Sequence, residues 1–494
     1  MTTFSRRGFL AASAAMLAAS HFPIRAYGQD AAAIRLAATS RTLDIDNRPA
    51  TVFGLAGPNG QGLLLDPGER FRVDLTNDLA ESTIIHWHGQ IPPNAQDGVP
   101  DMPQPLLQPS ETRSFDFAPQ PGTHWMHSHV PIQEMRLLAA PLIVRRAEDL
   151  SADRQEVVLF LHDFAFKTPE EVLEEITSAS ADGHGAAGMS RAMQGMNHGG
   201  MPGMNQGEAG GMGSMAMDMG NMAMDLNDYD WDAYLANDRT LSDPDVVQVE
   251  RGGRVRLRVI NAAAATVFWI DTGEAQARLV AVDGHEVQPV AGSRFGLAMG
   301  QRLDLEIDLP NETRAWPILA LREGERERTG IILAPADATI DRIDSLSAND
   351  APAFDTDLSQ ESRLVAVDTL AARPVDRSHM IMLGGSMQPY VWTIDGATWG
   401  KHRPVAATSG DRVELMFHNM SMMGHPMHLH GHAFQVVGIN RRRFEGARRD
   451  TVYIPPMSMV TVALDAGEAA SWMLHCHHMP HLATGMMTEF RIAA

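Results

Sequence analysis

The chain has 494 residues, 44% of them hydrophobic, and a formal charge of −21. That length exceeds one hydrophobic core, and a prior of roughly 100–200 residues per domain predicts about three domains. The charge and the lack of a long Lys/Arg run exclude a polyanion such as nucleic acid as partner, because that affinity comes from neutralised phosphates.

Residues 1–28 read as a twin-arginine signal peptide. Ser5-Arg6-Arg7-Gly8-Phe9-Leu10 is followed by an apolar run to Ser20 and by small residues at Ala26 and Gly28. This predicts hand-over to the twin-arginine export machinery and localisation in a bacterial periplasm. No later stretch reaches the roughly 18 apolar residues of a membrane span, so no membrane span is expected and the mature protein should be soluble.

Short alternating or β-branched runs fill the rest, among them Phe71–Leu75, Thr83–His88, Arg113–Phe117, Val157–Leu161, Val255–Ile260, Leu303–Leu309, Val413–Phe417 and Val460–Leu464. Gly, Pro and Asn turns separate them, which predicts an all-β chain of repeated Greek-key sandwiches. We expect domains at 30–148, 152–340 and 360–494, with a polar linker over 341–359. The second is interrupted at 178–225 by a Met/Gly-rich insert holding eleven methionines, from Met189 to Met224. Its composition lacks the apolar surface to offset ordering entropy, and it reads as flexible.

Four motifs carry the chemistry: His86-Trp87-His88, His127-Ser128-His129, His425-Pro426-Met427-His428-Leu429-His430, and His475-Cys476-His477. In a strand, residues i and i+2 share a face, so each His-X-His pair aims two imidazoles at one place. Eight imidazoles at four strand ends can surround a metal cluster, and imidazole alone does not say which metal. Cys476 must point away from its two neighbours and so serves a different ion. With His425, His481 and Met486 it forms two imidazoles, a thiolate and a weak thioether, which is the blue-copper set. An electron arriving at Cys476 is then one backbone step from His475 and His477. Structural zinc, closed by four ligands, would leave most of these histidines unused.

On these motifs the chain resembles the multicopper oxidases, the laccases and bacterial copper-efflux oxidases, in which three cupredoxin-like domains hold four copper ions. The resemblance implies a type 1 copper on His425, Cys476, His481 and Met486, and a type 2 copper on His86 and His428. It implies a type 3 pair, one ion on His88, His127 and His477 and the other on His129, His430 and His475. Asp97 corresponds to the carboxylate that supplies protons near the type 2 copper, so the catalytic set is Cys476, His475, His477 and Asp97. The copper-efflux branch leads us to expect acidic residues just after the second type 1 histidine and four before the first, where this chain has Leu482 and Ser421.

The implied activity is reduction of dioxygen to water with electrons from a reducing substrate. Met420, Met422, Met423 and Met427 flank His425, and thioether sulfur prefers Cu(I). With the insert, whose free coil would reach on the order of 35–40 Å, this points to Cu(I) as donor in copper detoxification. A laccase-like phenol oxidase or a ferroxidase for Fe(II) uses the same four coppers, and a periplasmic copper-sequestering protein is the reading from another class.

Overall fold

The computed structural model describes residues 32–179 and 226–494. Residues 1–28, read above as an export signal, and nearly all of the methionine-rich insert lie outside the described residues. Six sheets form three pairs: five and four strands within residues 34–144, six and five within 155–334, and seven and five within 377–493. Burial follows the pleat. In Phe71–Asn77, Phe71, Val73 and Leu75 face the core and the residues between them are half-buried.

One topological unit recurs three times. Ile34–Ile45 pairs antiparallel with Arg48–Gly57 and parallel with Phe71–Asn77. Gln155–Phe164 does the same with Ala233–Ala236 and Arg254–Asn261, and Arg377–Met387 with Tyr390–Ile394 and Arg412–Asn419. The architecture is therefore all-β, three cupredoxin-like sandwiches in sequence.

Two stretches depart from the sequence reading. A helix spans Pro169–Ala179 and so extends past Ser178, where the insert was expected to begin. Thr168 and Glu171 cap it reciprocally, each side chain accepting from the other's backbone N–H at 3.3 and 2.8 Å. Val172 and Ile176 bury its inner face in the core that includes Trp231. The expected linker 341–359 is polar overall but anchors itself through Phe354, whose ring sits 5.4 Å from Trp269 and 5.0 Å from Tyr453. Beyond it, Val365 and Val367 hydrogen-bond Gln288 and Glu286 of the middle sandwich.

Register brings the histidine motifs into opposition. Ile85–His88 pairs with Gly122–Ser128 so that His86 faces His127. His425–Leu429 pairs with Ser471–Cys476 so that His428 faces His475 and Met427 faces Cys476. A one-residue slip in either pair would turn the imidazoles to the opposite face.

Candidate metal centre

The eight paired histidines sit in or one residue beyond these four strands, all buried. Their ring nitrogens fall into close groups: His86, His88 and His428; His88, His127 and His477; His129, His430 and His475. A separate group joins His425, Cys476 and His481. Burial is the main cause that lowers the proton affinity of His88, His127, His129, His428, His430, His475 and His477, with the neighbouring imidazoles adding to it. The rings are therefore neutral near pH 7, each with one N–H and one lone pair.

Outward hydrogen bonds fix which nitrogen carries the lone pair. Nδ1–H of His86 donates to the Asp97 carbonyl at 2.8 Å, and that of His428 to the Asp450 carbonyl at 2.9 Å. Their Nε2 atoms then face each other at 3.4 Å as two acceptors. Likewise His430 donates from Nδ1 to Asp97 Oδ2 at 2.9 Å and His475 to the Cys476 carbonyl at 2.9 Å, leaving Nε2 against Nε2 at 3.1 Å. His127 donates from Nδ1 to the Ser128 carbonyl at 3.0 Å, and its Nε2 lies 3.4 Å from Nδ1 of His88. Lone pairs opposed in a dry interior repel unless a cation lies between them. Nε2 of His129 and both nitrogens of His477 have no hydrogen-bond partner among the described residues, the Glu134 carboxylate lying 3.8 Å from His477 Nδ1. The residues fit bound metal ions.

The thiolate group is built by the same logic. Cys476 Sγ lies 3.7 Å from His425 Nδ1 and 3.6 Å from His481 Nδ1, and the two nitrogens are 3.2 Å apart. Nε2–H of His425 donates to Ser421 Oγ at 2.8 Å, and that hydroxyl donates on to Asn419 Oδ1 at 2.8 Å. Ser421, standing where an acidic residue was expected, thus orients the His425 ring without a charge. Leu482 is buried in the helix Met479–Ala483. Met486 is also buried, and its backbone bonds to His481 and Cys476 wrap the loop around this group. Burial raises the Cys476 thiol's pKa, a preference that a bound cation reverses by stabilising thiolate.

Asp97 touches two histidines: Oδ2 holds His430 and Oδ1 lies 3.4 Å from His86 Nδ1. Sequence reasoning missed four further residues. Glu134 Oε2 lies 2.8 Å from His127 Nδ1, and its pKa is raised by burial. Asp450 Oδ1 accepts from His88 Nε2 at 3.0 Å, and Arg302 pairs with that carboxylate. Asp228 Oδ2 lies 3.6 Å from Nε2 of both His481 and His478, and it accepts from the Tyr390 hydroxyl. Only Glu134 had a local signal, as the last residue of a short helix opened by Pro131 two residues after a histidine pair.

The sandwich fold and a histidine cluster one peptide bond from a buried thiol define a metal-dependent oxidoreductase. Multicopper oxidase family models match residues 46–149, 155–335 and 373–494. The chain is 29% identical to the multicopper oxidase MmcO of Mycobacterium tuberculosis over 98% of this chain and 96% of that protein. It is 24% identical to copper resistance protein A of Escherichia coli, covering 89% and 88% of the two chains. The crystal structure of Fet3p, a multicopper oxidase that functions in iron import, superposes with a TM-score of 0.73 at 16% identity, covering 93% of this chain and 90% of that one. The chain belongs to the multicopper oxidase family, and it is a copper-dependent oxidoreductase.

Proposed function

We propose that this protein oxidises Cu(I) to Cu(II) and passes the electrons to dioxygen, so that four cuprous ions, one dioxygen and four protons give four cupric ions and two waters. Four resident coppers, when bound, supply the one-electron transfers and the site of dioxygen reduction. The type 1 ion would be held by His425, Cys476, His481 and Met486, and the type 2 ion by His86 and His428. The type 3 pair would be held by His88, His127 and His477 and by His129, His430 and His475.

The observation that carries the reading is the double use of Ser471–Cys476 and the residue after it. Cys476 meets His425 and His481 while His475 meets His430. The backbone thus links electron entry to the histidine cluster by one peptide on either side. Asp97 holds His430 and His86 from outside the donor set, and we assign it delivery of protons to the cluster. Ser421 and Asp228 lie beside the outer nitrogens of His425 and His481 and position those rings.

Three features favour Cu(I) as donor: the methionine-rich insert, the exposed Met420 and Met422 in the turn before His425, and relatives named for copper resistance. Relatives also include Laccase-2 of Botryotinia fuckeliana and an iron transport multicopper oxidase of Schizosaccharomyces pombe, so phenols and Fe(II) are the competing donors. We place the protein in the periplasm, delivered by the twin-arginine machinery, on the strength of residues 1–28. Among the described residues no helix is long and apolar enough to cross a membrane. Steady-state oxygen uptake with Cu(I), Fe(II) and a phenol tests the reading, the expected result being the highest kcat/KM for Cu(I). Preference for the phenol or Fe(II) would reassign the substrate, and copper binding without oxygen uptake would make the protein a sequestering one.

A further inference from the structure

The middle sandwich supplies none of the paired histidines, yet its backbone and one of its side chains reach the cluster. Gly300 has φ +77°, and a Cβ there would lie 2.8 Å from the His477 ring and 3.3 Å from that of His88. Only glycine allows this approach. Two residues on, fully buried Arg302 opens the strand Arg302–Asp308. Its guanidinium forks onto Asp450, with Nη1 2.7 Å from Oδ1 and Nη2 on Oδ2. Bonds to the Thr123 and Gly300 carbonyls, both at 3.1 Å, fix the fork's plane.

Asp450 in turn holds histidines from the other two sandwiches. Its Oδ1 accepts from His88 Nε2 at 3.0 Å and from Thr451 Oγ1 at 2.9 Å, while its carbonyl accepts from His428 Nδ1 at 2.9 Å. His86, His127, His428, His430 and His475 all turn Nδ1 outward; His88 is turned the other way and offers Nδ1 inward. Among the described residues, two acceptors face His88 Nε2 and account for this reversal: the carboxylate that Arg302 clamps and, at 3.1 Å, the Thr451 hydroxyl that bonds to that same carboxylate.

We propose that Arg302 is a positioning residue of the histidine cluster: by clamping Asp450 it fixes His88 with Nδ1 inward and steadies His428, the proposed type 2 donor whose Nδ1 lies 2.9 Å from the Asp450 carbonyl and 3.5 Å from its Oδ1, and so sets how tightly copper is held where the three sandwiches meet. This rests on the copper assignment above. A planar, bidentate fork is required, because a lysine ammonium supplies the charge without fixing the carboxylate's orientation. Loss of an outer partner of a metal-bound histidine typically costs about 10–100-fold in metal affinity. The group of His425, Cys476 and His481 receives no contact from Arg302 and serves as an internal control.

The test uses the copper-loaded full chain and its Arg302→Lys and Arg302→Met variants, titrated with EDTA while the type 2 EPR signal, the blue absorption and total copper are followed. In Arg302→Lys, which keeps a cation beside Asp450, the EDTA concentration that halves the type 2 signal should fall about 10–100-fold, with the blue band unchanged. Arg302→Met should lose the signal at still lower EDTA or fail to accumulate; the lysine variant carries the test in either case. A midpoint in Arg302→Lys equal to the parent's, or a parallel loss of blue band and type 2 signal, overturns the proposal. A parent that shows no type 2 signal at full copper loading overturns the copper assignment instead.

Discussion

Cys476 is the chain's one cysteine, fully buried with its sulfur between two imidazole nitrogens, and the proposed electron path has no alternative entry through a thiolate. Cys476→Ser should abolish the intense blue colour, which requires thiolate-to-copper charge transfer, and reduce turnover to background while the histidine cluster retains its own copper. Visible absorption, copper analysis and oxygen uptake on one preparation measure this; a Ser variant with coupled oxygen reduction would refute the wiring. Asp97 is probed differently, because its carbonyl holds His86 and survives substitution while its carboxylate holds His430. Asp97→Asn should keep the blue colour and slow reoxidation of reduced enzyme by dioxygen by about 100-fold, the lower range for loss of a proton-transfer group. Rapid mixing with dioxygen reads the rate, and an unchanged value would leave Asp97 a hydrogen-bonding residue only.

At the scale of elements, the grouping of the paired histidines and of Cys476 with His425 and His481 was legible because a strand's two-residue period converts His-X-His directly into shared direction, and because a cysteine between two histidines must face the other way. Arg302, Asp450 and Asp228 were not legible: each acts across sandwiches, and no local pattern marks a residue whose partner lies 148 positions away, as in the Arg302–Asp450 pair. The Phe354 anchor escaped notice because one aromatic in a polar stretch does not change its average composition. The segment between Ala179 and Leu226 remains defined by composition, and its far end leads directly into the stretch holding Asp228. If its eleven methionines gather Cu(I), deleting 183–224 should lower kcat/KM for Cu(I) by raising KM, since tethered thioethers raise local donor concentration. A bulky phenol needs no thioether, so its oxidation should hold or rise, and the blue band should persist because every proposed ligand lies outside the deletion. Equal changes for both donors would make the segment a linker.

Across the whole molecule, burying so many imidazoles couples folding to pH even before metal enters. His124, His162 and His285, none of them a proposed ligand, have pKa values lowered chiefly by burial, to about 3, about 4 and about 4. Unfolded, each would titrate near 6.5. Below that value the unfolded chain binds protons that the folded chain refuses, so unfolding is favoured as pH falls, and the loss continues until pH reaches the folded pKa of about 3–4. Above about 6.5 both states are neutral at these sites and the slope vanishes. The copper-free protein should therefore hold its urea midpoint between pH 7 and 8 and lose it progressively from pH 6.5 to pH 4, and replacing His162 with Gln should flatten that slope. Copper should oppose the loss, because a bound ion stabilises only the folded donor set. Urea titrations of copper-free parent, copper-free His162→Gln and copper-loaded parent at pH 8, 7, 6.5, 6, 5 and 4 measure all three effects. A copper-free midpoint that does not fall between pH 6.5 and 5 would mean that these imidazoles accept protons in the folded state, through water admitted to the sites around them.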